Sequence, residues 1–375
     1  MGCCFSKGDK KGGQSSFKPV NPPNFERSNL YEEIKSNKSY IFSIMQCLSY
    51  TKGLTKYFLK KYDYYNNSNN QISNDYYNLL NNLWKEKNLS YPYSPYNFSL
   101  SVNISKSLFN NNQLYSGKDL LNYFFENIHN ELNAKNNNKG NNLQNKHTLI
   151  QLNKQLSLQN FLNYFKNNFN SIISNLFYGT YEIIFKCIDC EKTNYKYEIF
   201  KFLEFSLNEI DSFFGIKPIK EKERGLRFIN NVKIIDLYKC FEYNDKDKSL
   251  TTKKYECINC NNHQFFNFSS KIYSMPNYLI IILNNEKGSL YKVNYPIILD
   301  IGKYITHCEI ASKFNLYAVI GKNNNEDYFS YCRDLTNNYK WYKYDNNNEV
   351  EAKQCQEKEY LDVVPSFLFY EVSNE

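Results

Sequence analysis

Cys187-Ile188-Asp189-Cys190 and Cys257-Ile258-Asn259-Cys260 repeat one C-x2-C spacing, separated by the 66 residues 191–256. Each pair sits where a β-prone segment turns back, so two thiolates from each turn can converge on one ion. Four thiolates in tetrahedral arrangement suit structural zinc and leave no open position for catalysis. The metal then contributes folding energy to the subdomain that it clamps. Cys47, Cys240, Cys308, Cys332 and Cys355 are isolated and read as packing residues. Paired spacing of this kind points to metal binding in a reducing compartment rather than to a disulfide framework.

The chain has 375 residues, 17% of them aromatic, which is ample material for a sizeable core. Residues 40–62 carry Ile41, Ile44, Met45 and Leu48 at helical spacing. Helical patterns follow over 76–86 and over 117–132, the latter with Leu120, Leu121, Phe124, Phe125, Ile128 and Leu132 on one stripe. Beyond Leu176 the pattern changes to strands rich in Tyr, Phe, Ile and Val: 181–187, 200–207, 271–283, 291–299, 314–321, 328–333, 339–345 and 366–372. Helices first and antiparallel strands later predict an α+β architecture. Asn-rich tracts such as 65–70, 110–112 and about 133–158 cannot bury apolar surface and read as insertions.

The formal net charge of +8 is spread along the chain, and residues 220–224 (KEKER) alternate in sign. Nucleic acid is therefore not an expected partner, since that requires a concentrated basic face. The apolar run at 278–283 is too short to span a bilayer and reads as a buried strand. The opening Met1-Gly2-Cys3-Cys4-Phe5-Ser6-Lys7 has no apolar segment of the secretory kind, but it fits N-myristoylation at Gly2. One myristoyl chain binds membranes only marginally. Palmitoylation of Cys3 or Cys4 and attraction of Lys7, Lys10 and Lys11 to anionic lipid would supply further signals. Residues 1–27 then form a lipid anchor and tether, and the expected location is the cytoplasmic face of a membrane.

With these elements in order, the chain resembles the ubiquitin-specific proteases. Asn37, Tyr40, Ser43, Gln46 and Leu48 match that family's opening box, N-T-C-Y-M-N-S-x-L-Q-x-L. Ile128-His129-Asn130-Glu131-Leu132 is similar to its L-H-E-x-L segment, and 202–207 (FLEFSL) to its F-L-x-L-S-L strand. Residues 274–283 and 294–301 resemble its L-P-x-x-L-I-I-x-L and F-P-x-x-L-D-L strands. Residues 317–321, 328–333 and 340–350 resemble Y-x-L-x-A-V, G-H-Y-x-A-Y and W-Y-x-F-D-D-x-x-V, and 366–372 resembles its last strand. The resemblance implies a papain-like fold over 28–375: a helical thumb, a β-rich palm and zinc-ribbon fingers at about 180–270.

The same resemblance locates the family's working positions, and three of four are altered. The nucleophilic Cys falls on Ser39, the catalytic His on Asp327, and the oxyanion-stabilising Asn, five residues before the nucleophile, on Ile34. The acid that orients the His is retained as Asp345. A serine nucleophile needs a base of near-neutral pKa, whereas an aspartate's ordinary value is about 3.9. Of the four histidines, His129, His147 and His263 are accounted for by other segments, and only His307 is left open by its place as a substitute base. Cys47, eight residues beyond Ser39, lies roughly 12 Å along a helix. The box that grips the arginine-bearing tail of ubiquitin aligns with Tyr115-Ser116-Gly117-Lys118-Asp119, where Asp119 keeps an acid and Lys118 would repel.

The leading expectation is a membrane-tethered pseudoenzyme that binds ubiquitin or another protein without isopeptidase activity. The alternatives are a diverged deubiquitinase with a non-standard site, and a zinc-stabilised interaction module that has left ubiquitin altogether.

Overall fold

The computed structural model describes residues 39–63, 70–84, 116–134, 150–222, 228–246, 248–251, 256–261, 265–285, 291–307, 312–322, 328–334, 340–344, 353–355, 357–361 and 363–373. Helices come first: α1 (Ser39–Ser49), α2 (Lys52–Lys60), α3 (Gln71–Trp84), α4 (Gly117–Leu132), α5 (Lys154–Asn168) and α6 (Ile172–Phe177). The strand-rich part then opens with β1 (Gly179–Cys187), β2 (Thr193–Phe200) and β3 (Leu203–Ser206), followed by α7 (Leu207–Phe214). Next come β4 (Ile219–Lys222), β5 (Phe228–Asp236), α8 (Leu237–Asn244), β6 (Lys248–Thr251), β7 (Phe265–Ser274) and β8 (Tyr278–Asn284). The chain closes with β9 (Tyr291–Asn294), β10 (Ile298–Asp300), β11 (Lys313–Lys322), β12 (Tyr328–Arg333), β13 (Trp341–Tyr344), β14 (Lys353–Cys355), α9 (Glu357–Leu361) and β15 (Pro365–Val372). The expected mixed α+β fold is the one observed.

The palm is a sheet ordered β14-β13-β12-β11-β15-β8-β3, with β10 paired to β11. Its strands are apolar on both faces because both faces are covered. Along β8, Tyr278, Ile280 and Ile282 pack with α1–α4 and α6, while Leu279, Ile281 and Leu283 pack with α7, α8 and α9. In β11 a register shift between Leu316 and Ala318 interrupts this alternation. Tyr317 and Ala318 consequently both join the helical side, and the Tyr317 hydroxyl bonds the Thr51 hydroxyl at 2.8 Å. A β-bulge thus aims one more aromatic at the helices.

The fingers are a second sheet, ordered β2-β1-β7-β6. Its core among the described residues is small: Ile150, Ile183, Phe185, Cys187, Cys257 and Phe266. A cluster of this size is a weak anchor without a staple. The helix α5 lies on β2, where the Ser157 hydroxyl donates to the Tyr195 carbonyl and the Phe161 and Tyr197 rings meet at 5.9 Å. Lys154 adds an ion pair of 2.6 Å to Glu182, which is 1% exposed and also accepts from the Tyr197 hydroxyl.

Several elements differ from the sequence reading. The helical stretch over 40–62 is two helices, because the chain turns at Tyr50 and Thr51 and the Thr51 side chain caps nothing. The helix α5 begins at Lys154, inside the range read as Asn-rich insertion, and Asn153 serves as its N-cap through a 3.0 Å bond from the Leu156 amide. The run 271–283 is two strands, since Pro276 has no N–H to give a ladder. The helices α7 and α8 are each eight residues long and capped by Ser206 and Asp236. Such short helices carry too little periodicity to stand out in a β-rich sequence.

Candidate catalytic junction and metal centre

Ser39 opens α1, and Ile34, Asp327 and Asp345 lie outside the described residues. Their chain neighbours show how the elements meet. The Tyr40 ring, one residue from Ser39, contacts the Tyr328 ring edge-on at 6.1 Å, and Tyr328 directly follows Asp327. The Lys322 ammonium lies over the Tyr328 ring, 4.8 Å from its centroid. Tyr344, which directly precedes Asp345, is the cross-strand partner of Ser330 in β12. Its hydroxyl is 2.6 Å from that of Tyr50, at the end of α1. The start of α1, the start of β12 and the end of β13 are therefore held together by aromatic contacts and strand register.

Other sequence candidates are occupied elsewhere. Asp119 is the third residue of a capping box: its carboxylate accepts from the Ser116 amide (3.0 Å) and hydroxyl (2.8 Å). It stabilises the start of α4. Lys118 does not stand as an isolated charge, because it pairs with Glu204 of β3 at 2.5 Å. Cys47 is fully buried 3.9 Å from the Cys332 sulfur, and burial pushes its thiol well up, so it packs rather than reacts. His129 is buried against Ser171 (2.7 Å), and burial holds its imidazole down to about 4. His307 stacks on Tyr273 of β7 at 5.0 Å, in the fingers sheet rather than at the junction. His147 and His263 lie outside the described residues, as do Gly2, Cys3 and Cys4.

In the fingers sheet, Cys187 closes β1 and Cys190 sits in the turn to β2, while Cys257 and Cys260 precede β7. The sulfurs of Cys187 and Cys260 are 3.6 Å apart and those of Cys190 and Cys257 are 3.5 Å apart, and all four lie within 4.8 Å of one another. Zinc–sulfur bonds of about 2.3 Å at tetrahedral angles place sulfurs about 3.8 Å apart. A disulfide would need about 2.05 Å. The donor set and its spacing therefore fit one tetrahedral ion.

The two turns are built alike. The residue after each second cysteine, Glu191 and Asn261, has a left-handed backbone with φ of 56° and 57°. In the first turn the Cys187 amide donates to the Lys192 carbonyl at 3.0 Å, and in the second the Asn261 amide donates to the Cys257 carbonyl at 2.8 Å. A backbone hydrogen bond at Lys192 holds the Cys190 thiol down to about 7, against a smaller opposing effect of burial. Asn194, which no motif singles out, is fully buried beside both turns.

Comparison with known proteins bears on both ends. A family model described as ubiquitin carboxyl-terminal hydrolase matches residues 34–370. Ubiquitin carboxyl-terminal hydrolase Usp2 of Drosophila melanogaster is 21% identical over 89% of this chain and 34% of its own length. Ubiquitin carboxyl-terminal hydrolase 17-like protein B of Mus musculus is 24% identical over 55% of this chain and 40% of its own. The chain thus spans well under half of these relatives. Among solved structures, Ubp8 in a SAGA DUB module bound to monoubiquitin aligns with TM-score 0.61 at 14% identity, covering 97% of this chain and 72% of that one. A yeast SAGA DUB module structure aligns with TM-score 0.58 at 17% identity, over 90% of this chain and 67% of that one. The family match spans nearly the whole chain, and this chain belongs to the ubiquitin carboxyl-terminal hydrolase family of ubiquitin-specific proteases.

Proposed function

We propose that this chain is a ubiquitin-specific-protease domain that has lost hydrolysis and serves as a ubiquitin- or protein-binding scaffold. The observation that carries this reading is the replacement of nucleophile, base and oxyanion donor by Ser39, Asp327 and Ile34, on elements whose neighbouring residues still pack together. An aspartate is a poor base for a serine hydroxyl, and Asp345 adds a like charge rather than a proton acceptor of near-neutral pKa. Loss of a triad serine or histidine alone costs on the order of 10⁶ in turnover in a well-studied protease. Cys47 and His129 are buried in other roles, and His307 stacks on Tyr273 of the fingers sheet.

Support for ubiquitin as the bound protein comes from the relatives, since Ubp8 has been solved with monoubiquitin and with ubiquitin aldehyde. Zinc on Cys187, Cys190, Cys257 and Cys260 would be structural: four thiolates fill the coordination sphere and supply folding energy to the fingers. For location, we propose acylation at Gly2 with palmitoylation at Cys3 or Cys4, which would hold the domain on the cytoplasmic face of a membrane.

The test is cleavage of a fluorogenic ubiquitin substrate by the purified chain and by Ser39→Ala. The reading expects no cleavage above background from either. Cleavage that disappears in Ser39→Ala would establish the alternative, a diverged deubiquitinase. Titration with labelled ubiquitin then separates a ubiquitin scaffold from an interaction module for other proteins. Membrane fractionation of Gly2→Ala tests the anchor, and the variant is expected to leave the membrane fraction.

A further inference from the structure

We propose that Asn194 is a positioning residue of the metal centre, a side chain that ties its two turns to each other and orients the Cys257 thiolate. The inference rests on the reading of the four cysteines as a zinc site and goes beyond it. Asn194 lies in β2 opposite Phe185 of β1, and its side chain is fully buried. Its Nδ2 donates to the Lys192 carbonyl of the first turn at 3.3 Å and reaches the Cys257 sulfur of the second at 3.6 Å. Its Oδ1 accepts from the Ile258 backbone amide, also in the second turn, at 3.2 Å.

A carboxamide has two N–H donors and one carbonyl acceptor, and all three point at the metal turns here. The orientation is fixed by chemistry. Reversing the amide would set Oδ1 against a carbonyl and a thiolate and would leave the Ile258 amide facing an NH2 group. An N–H directed at a metal-bound thiolate spreads its negative charge and holds the sulfur in place. This is the role that hydrogen-bonding partners beyond the ligands play in other metal sites. No other residue type of this size offers both a donor for sulfur and an acceptor for the next amide. Alanine offers neither. Aspartate keeps the acceptor, loses the donor and adds a charge beside four thiolates.

That difference supplies the test. Zinc affinity of the full chain and of Asn194→Ala and Asn194→Asp would be measured by competition with a chromophoric chelator, and the thiolate-to-metal absorption band would be recorded after replacement by Co²⁺. Amide exchange of the fingers sheet at saturating zinc checks that each variant is folded. Both variants are expected to bind zinc about 10- to 100-fold more weakly, with a shifted Co²⁺ band. Asn194→Asp retains the shape and the bond to Ile258, and Asn194→Ala adds no charge, so the weakening common to both variants reports the lost N–H donors. Wild-type affinity and an unchanged band in Asn194→Asp would overturn the proposal while leaving the zinc site intact. A wild-type chain that takes up no zinc would sink the metal reading and this one together.

Discussion

At the fingers, four sulfurs lie within 4.8 Å of one another beside a core of six buried residues among those described, whereas the α1–β12 junction rests on a core of 31 among the described residues. The two regions stand differently against the pattern that the resemblance implies. The four clustered positions are all cysteine, whereas under the proposed function Ser39, Asp327 and Ile34 replace the residues that would do chemistry at the junction. The difference has a physical cause. A small sheet that depends on one ion loses its fold with any ligand. A junction held by Ile44, Leu48, Phe124, Ile280 and Phe369 keeps its fold whichever polar residue stands at its rim. Reactive residues can be exchanged where packing carries the structure, and cannot where they are the structure.

The largest effect should break this comparison at the fingers. Chelation of the metal, or Cys257→Ser, is expected to abolish amide protection in β1, β2 and β7 while β8, β11 and β15 stay protected. Exchange rates that rise equally in both sheets would mean that the fingers do not depend on the metal separately.

The next effect belongs to the helical side. Burial first, and then the nearby Lys201 charge, lower the His129 pKa from 6.5 to about 4. Between those values the unfolded chain binds a proton that the folded chain refuses, so stability is intact above about pH 6.5 and falls as pH drops toward 4. The loss should reach on the order of 3 kcal/mol at the acid limit. His129→Gln should flatten urea midpoints across that window, and an unchanged slope would place the acid sensitivity elsewhere.

Gly117→Ala sharpens the comparison at the junction core. A Cβ there would stand 2.6 Å from Phe367 Cζ and 2.9 Å from Ile44 Cδ1, so α4 cannot keep its seat without movement. A loss of about 1–3 kcal/mol is expected in denaturant unfolding. No loss would mean that the core beneath the junction is looser than its contacts indicate.

The smallest effect is a gain. Glu191 holds φ of 56°, a conformation that costs most side chains energy and costs glycine none. Glu191→Gly should stabilise the fingers by up to about 1 kcal/mol, and Asn261→Gly by less, because asparagine tolerates this region. Equal gains, or a loss at 191, would show that the Glu191 side chain has a stabilising contact that outweighs its backbone strain.

Much of this was legible in the residues. The helix α4 runs over the stretch that its apolar stripe marked, and each C-x2-C pair lies in a turn beside the strands expected to carry it. The strands β8, β11, β12, β13 and β15 followed from β-branched and aromatic runs, whereas 291–299 proved to be two strands and β14 was not foreseen. Other features were hidden because they depend on partners far away in sequence. The capping box of Ser116 and Asp119 is local, three residues apart ahead of an apolar run, whereas Lys118 meets Glu204 only because β3 pairs with β8 beside that helix. The break between α1 and α2 falls where Thr51 bonds Tyr317, 266 residues away.

Family and fold class were readable from the residues alone, because periodicity, motif order and cysteine spacing are written in one dimension. The proposed placing of Ser39, Asp327 and Ile34 at the working positions likewise rests on residue identity and motif order. Only the tertiary structure brought four sulfurs within 4.8 Å and set Tyr40 against Tyr328. Only it gave Asn194 a place between the two turns. Strand pairing decides such meetings, joining β1 to β7 and β12 to β13 across loops whose residues carry no mark of what they will bring together.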